Sequence, residues 1–268
     1  MKRIFISASA ILMFIASTVA SSCNGGASLA GMILAADTSN PSKNVEKYGE
    51  IISKELKADN ITGLDIGGCA NIVYIQDSKT SVKMETNEKA FDLYNIKVEG
   101  STLSVQQKKF TNNVPKISIT VTSPAINNIS CSGAGDITLG NVELTNDGME
   151  IDISGAGEIK ADNIKCGKDV TMHISGAGNI KAGEIVCAEN VYMGISGAGN
   201  INGNVKCKNL DIKISGAGNT DMKIDCDNTS VSMSGAGSVE LSGRTGTLKK
   251  NKGNMMCTFE TDDLTVGK

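Results

Sequence analysis

The sequence predicts an all-β fold, a single-stranded parallel β-helix whose rungs are about 20 residues long. Three observations predict it. The tetrapeptide Ser-Gly-Ala-Gly begins at Ser132, Ser154, Ser175, Ser196, Ser215 and Ser234, with successive spacings of 22, 21, 21, 19 and 19 residues. Before the later copies, apolar residues alternate as Met149-Ile151-Ile153, Val170-Met172-Ile174, Val191-Met193-Ile195, Leu210-Ile212-Ile214 and Thr229-Val231-Met233. After four of them comes an apolar–X–Cys element, ending at Cys166, Cys187, Cys207 and Cys226.

Self-similarity at this period marks a solenoid, in which one repeat cannot bury its own apolar face but its neighbours above and below can. In-register stacking turns each apolar position into an interior column, and each backbone N–H and C=O finds its partner on the next rung. No stretch between repeats is long enough for a crossover helix, which excludes βαβ units. Right-handed coiling is the default for parallel strands. Composition agrees, with 30 Gly, no Trp, five Phe and four Tyr among 268 residues. Such a chain fills thin, regular layers rather than one irregular core. Glycine tolerates close backbone approach and positive φ, so the tetrapeptide is expected to form a corner of the coil. The alternative is a strand thinned by inward glycines.

In chain order, Lys2 and Arg3 precede an apolar run from Ile4 to Val19, the layout of a secretory signal over residues 1–22. Thr18-Val19-Ala20 offers one cleavage site. Ala20-Ser21-Ser22-Cys23 resembles a bacterial lipobox, which would make a lipidated Cys23 the mature N-terminus and a membrane anchor. Ala20 stands where leucine is usual. Residues 23–43 read as a flexible tether. Residues 44–60 read as an N-terminal cap, a short helix or an approach strand. From Ile61 the apolar period becomes two, through Leu64, Ile66, Ile72, Tyr74, Val82, Met84, Ile96, Val98, Leu103 and Val105, so 61–268 is the β-helix domain. Past about Gly243 the repeat decays, and Met255 to Phe259 would close the open end.

Leu64-Asp65-Ile66-Gly67-Gly68-Cys69-Ala70-Asn71-Ile72, the segment Val98 to Val105 and the serial Ser-Gly-Ala-Gly units together resemble the autotransporter-adhesin head domains called GIN domains, common in envelope proteins of Bacteroidetes. The resemblance runs from about Ile61 to Val239. It implies a β-helix on an exported, often lipid-anchored protein, and it carries over no catalytic residue.

The residues themselves bound the chemistry. A formal charge of −3 offers no basic field for nucleic acid. Cys166, Cys187, Cys207 and Cys226 would stand on adjacent rungs about 4.8 Å apart. Disulfides need Cβ atoms nearer about 3.8 Å and turned toward each other, so a reduced interior ladder is expected. With no CxxC pair and a single histidine, His173, in an outward phase, no metal or other cofactor is expected. Four residues after the repeat serines stand Asp136, Glu158, Asn179, Asn200 and Asn219, a surface column able to bind a ligand or to bond up its own stack. Asp221, Asp225 and Asp227, like Asp262 and Asp263, read as turn or surface carboxylates, and no nucleophile elbow or phosphate loop appears. The expectation is a non-catalytic envelope lipoprotein that binds a glycan or another envelope protein. Its rivals are a periplasmic structural or stress-related protein and a polysaccharide-active enzyme. The sequence leaves the oligomeric state open.

Overall fold

The structure, a computed structural model, describes residues 41–108, 114–253 and 256–267. Residues 1–40, with the signal segment and Cys23, lie outside the described residues. The segment expected to cap the domain contains both forms weighed for it, helix α1 (Pro41–Tyr48) and then strand β1 (Ile51–Leu56). From β1 onward the chain forms a β-solenoid of about seven turns.

Its first part carries β2 (Gly63–Gly67), β3 (Ala70–Gln76), β4 (Ser81–Asn87), β5 (Tyr94–Glu99), β6 (Thr102–Gln107) and β7 (Ile117–Ser123). The repeats supply β8 (Asn128–Cys131), β9 (Asp136–Leu144), β10 (Met149–Ile153), β11 (Glu158–Cys166), β12 (Val170–Ile174), β13 (Asn179–Cys187) and β14 (Asn190–Ile195). Three 15-residue strands follow, β15 (Asn200–Ile214), β16 (Asn219–Met233) and β17 (Ser238–Lys252), then β18 (Thr258–Glu260) and β19 (Leu264–Val266).

From β8 to the end every pairing is parallel, with a single register shift between Ala182 and Glu184, so like residues stack: Met149 on Val170, Val170 on Val191, Val191 on Leu210 and Leu210 on Thr229. The alternating apolar residues of the repeats, from Met149 to Met233, are all buried, whereas Ile96 and Val98 nearer the N-terminal end are only partly so. The stacking order departs from chain order at the N-terminal end. The rung β2–β3 is sandwiched, pairing with β6 and β7 on one side and with β8 and β9 on the other. Antiparallel strands then cover the outer rung, β4 on β7, β1 on β4 and β5 on β6. An exposed row of backbone groups invites pairing with another chain, and these strands close it. Tyr74 and Tyr94 fasten this end: the Tyr74 hydroxyl donates to the carbonyl of Ser123 (3.0 Å), and the single proton of the Tyr94 hydroxyl is shared between the carbonyls of Cys69 and Pro115 (3.0 Å each).

The Ser-Gly-Ala-Gly units are bends between strands, and their glycines do not have positive φ. Close approach is what requires glycine. The Ala198 N–H donates to the Gly176 carbonyl (2.9 Å), which places that oxygen where a Cβ of Gly197 would sit. The same collision recurs for Gly155, Gly176, Gly216 and Gly235 against the rung before each. The second glycine of each unit is buried and faces inward, and in Gly178, Gly199 and Gly218 the missing side chain leaves room for the Cγ2 of Ile153, Ile174 and Ile195. The corner and the thinned interior are therefore one feature. Gly67-Gly68-Cys69-Ala70 makes an equivalent corner, since Ser132 N donates to Ile66 O (2.9 Å) and a Cβ on Gly133 would meet the Gly68 carbonyl.

Rung length varies only at the other corners. Four residues, 145–148, separate Leu144 from Met149, three separate Cys166 from Val170, and two separate Cys207 from Leu210. Gly183, unpaired at a register shift between Ala182 and Glu184, has no counterpart between Gly203 and Asn204. These losses account for the shortening from 22 to 21 to 19 and leave the apolar columns in phase. The repeat also persists past Gly243. β17 stays paired with β16 as far as Lys252 on Met233, but its outer residues are Lys249, Lys250 and Lys252. β18 and β19 cover only Ser238–Glu240 and Gly243–Thr245, and lysines guard what they leave open.

Candidate binding surfaces

The register brings Asp136, Glu158, Asn179, Asn200 and Asn219 into one outward column, continued by Ser238. Its lower half bonds to itself. Asn200 Nδ2 donates to Asn179 Oδ1 (2.8 Å), Asn219 Nδ2 to Asn200 Oδ1 (3.3 Å), and Ser238 Oγ to Asn219 Oδ1 (2.8 Å). The upper half is ionic. Glu158 lies between Lys160 (2.7 Å) and Lys181 (2.8 Å), and Asp136 is 3.7 Å from Lys116.

Partial burial by itself would raise the Glu158 pKa, but the hydrogen bonds and charges of both lysines outweigh it and hold the carboxyl below the usual glutamate value. Its stabilising contribution is therefore present above the ordinary glutamate pKa and disappears as pH falls through the lowered one. The group is partly solvated, so that contribution is below about 1 kcal/mol. Carboxyl-carbon NMR should find Glu158 titrating below a typical glutamate, and the double variant Lys160→Ala/Lys181→Ala should raise its midpoint.

A second amide column was missed in the sequence. Asn190 Nδ2 donates to Asp169 Oδ1 (2.7 Å), Asn209 Nδ2 to Asn190 Oδ1 (2.8 Å), Asn228 Nδ2 to Asn209 Oδ1 (2.9 Å), and Thr247 Oγ1 to Asn228 Oδ1 (2.8 Å). The signal was available: Asp169, Asn190, Asn209 and Asn228 each stand six residues before a repeat serine.

Beside this column a groove of ≈ 600 Å³ runs across several rungs, with Cys166, Cys187 and Cys207 among the residues lining it. Its charged column reads Glu143, Lys165, Val186, Lys206, Asp225, Arg244 from rung to rung. Lys165 bonds Glu143 (2.7 Å), and Arg244 holds Asp225 bidentately (2.6 and 3.0 Å). That pairing keeps the Asp225 carboxyl below its ordinary pKa, which suits a structural ion pair better than an acid catalyst.

The four repeat cysteines are buried and none is in a disulfide. Burial, with Cys187 next to it, pushes the Cys166 thiol up to about 12, and burial likewise raises Cys187. Both are poor nucleophiles near neutrality. His173 is exposed and lies against the backbone of Gly194, where a Cβ would strike its ring. Among the described residues no group of three His, Cys, Asp or Glu side chains converges as a metal site, and no helix is long and apolar enough to cross a membrane.

The family model described as "Putative auto-transporter adhesin, head GIN domain" matches residues 60–204 and 189–268. The chain belongs to this family. Solved structures similar to this GIN-domain chain include a putative adhesin from Bacteroides fragilis, at 24% identity and a TM-score of 0.68, covering 79% of this chain and 96% of that one. Another is a putative adhesin from Parabacteroides distasonis, at 15% identity and 0.66, covering 79% and 97%. A third, from the same species, is titled a putative lipid binding protein, at 16% identity and 0.60, covering 79% and 97%. At these identities the likeness establishes the shared solenoid fold. Among curated proteins nothing matches the sequence.

Proposed function

We propose that the protein is a cell-envelope lipoprotein, anchored through Cys23, whose GIN-domain solenoid is a non-catalytic surface for binding a glycan or another envelope protein. The observation that carries this reading is the outward register: the same polar groups recur on successive rungs about 4.8 Å apart. A polymer laid along the axis meets one weak contact many times, and avidity rather than any single contact supplies the strength. The leader and lipobox-like sequence place the chain outside the cytoplasm in this reading, and an adhesin-type family fits that location. The carboxylates near the grooves, such as Glu143 and Asp225, are tied up in ion pairs, which supports a binding role over turnover.

The test uses the purified mature chain, free and coupled to beads, against immobilised bacterial and host surface polysaccharides and outer-membrane extracts. Bead-coupled protein should bind at least about 100-fold more tightly than free protein. The double variant Asn179→Ala/Asn219→Ala should weaken capture if the first amide column is used. An absence of binding in either format would overturn adhesion and leave a structural envelope role. Polysaccharide turnover abolished by one carboxylate substitution would establish an enzyme instead.

A further inference from the structure

Three of the buried cysteines direct their sulfurs at backbone carbonyl oxygens. Cys187 Sγ lies 2.9 Å from the Lys168 carbonyl oxygen and 3.3 Å from that of Asn190, Cys131 Sγ 3.8 Å from Gly135 O, and Cys257 Sγ 3.1 Å from Gly235 O. Cys207 and Cys226 differ. They occupy matched positions on adjacent rungs, and their sulfurs touch at 3.3 Å. We infer that Cys207 and Cys226 form a thiol–disulfide site, which a small disulfide oxidant converts to a covalent bridge between neighbouring rungs.

The backbone permits the bridge. Parallel neighbours hold their Cα atoms about 4.8 Å apart, inside the range of about 4.4–6.8 Å found for disulfides. With the sulfurs already in contact, side-chain rotation rather than separation of the rungs completes the approach. The oxidant has a way in. Cys207 lines the long groove, and Cys226 lines an adjoining one of ≈ 500 Å³ together with Arg244 and Thr245. The pair also divides the chemistry. Either thiol can donate in this contact, and with Cys207 donating it favours the thiolate on Cys226 and keeps the proton on Cys207. Cys226 is then the attacking sulfur and Cys207 the resolving one.

In the first step Cys226 loses its proton and its sulfur attacks one sulfur of the oxidant. The oxidant's S–S bond breaks, and one thiolate leaves and takes up a proton. In the second step Cys207 loses its proton and attacks the Cys226 sulfur of the mixed disulfide, releasing the second thiol. Two protons and two electrons leave the cysteines, and one disulfide is reduced to two thiols. This site stands independently of the binding role proposed above.

The test incubates the purified, reduced mature chain with oxidised glutathione and maps peptides without reduction. The expected product is one intramolecular bridge joining the Cys207 and Cys226 peptides, with a mass loss of roughly 2 Da, while Cys166 and Cys187 stay open to alkylation after denaturation. Oxidised protein should also unfold at higher temperature than reduced protein. Cys207→Ser should stop at a glutathione adduct on Cys226. Wild-type mapping needs no variant, so poor folding of Cys207→Ser would not rescue the idea. All thiols remaining free, or a bridge forming equally well between Cys166 and Cys187, would overturn it.

Discussion

Gly197→Ala is expected to destabilise the solenoid by about 3 kcal/mol, near the upper end for overpacking. The added methyl falls on the Gly176 carbonyl oxygen, which cannot retreat because it accepts the Ala198 N–H at 2.9 Å. Relief requires the corner to open, and the corner below repeats the constraint, since Gly216 meets the Gly197 carbonyl in the same way. The loss therefore spreads through more than one rung. Guanidinium unfolding should show a lower midpoint for Gly197→Ala, while Ala198→Ser, at an exposed position one residue on, should stay within about 0.5 kcal/mol of wild type. Equal stability of both variants would mean that the rungs are not in contact at this corner.

Ile212→Ala is expected to cost about 4 kcal/mol, toward the high end for deleting a buried aliphatic side chain. Ile212 is fully buried and stacks between Met193 above and Val231 below. The size of the penalty depends on how far the surroundings collapse into the cavity. Here the backbone is held by parallel pairing on both sides, of β15 with β14 and with β16, and little collapse is open to it. Met193→Leu, a volume-conserving change in the same column, should cost less than about 1.5 kcal/mol. Both variants are read from the same unfolding curves.

What the sequence revealed and what it hid divide along one physical line. Contacts between equivalent positions of neighbouring repeats are written as a period, so the interior columns through Met172, Met193 and Ile212, the Ser-Gly-Ala-Gly corners and the stack from Asp136 to Asn219 were legible. The second amide column carried the same periodic signal and was overlooked because its spacing runs backward from each serine. Contacts outside the period leave no such trace. The insertion of β2–β3 between the rung of β6 and β7 and that of β8 and β9 joins segments of unlike sequence about 40 to 70 residues apart. The corner at Gly67 to Ala70 was hidden because Gly67, Cys69 and Ala70 replace the serine, the alanine and the second glycine, leaving Gly68 alone to keep the tetrapeptide. At the other end the pattern was lost early because Lys250 and Lys252 take positions that are apolar in earlier rungs. The backbone pairing there continues through both lysines. The turn of Cys207 toward Cys226 depends on side-chain rotation, which no spacing records.

The claim that this solenoid is displayed on a lipid anchor is tested most directly by protease shaving and antibody labelling of intact cells, comparing wild type with Cys23→Ala. The account predicts that wild-type protein is removed by protease from the cell surface and that Cys23→Ala is released into the medium. Wild-type protein that stays protected until the outer membrane is broken would contradict surface display and assign the solenoid a periplasmic role.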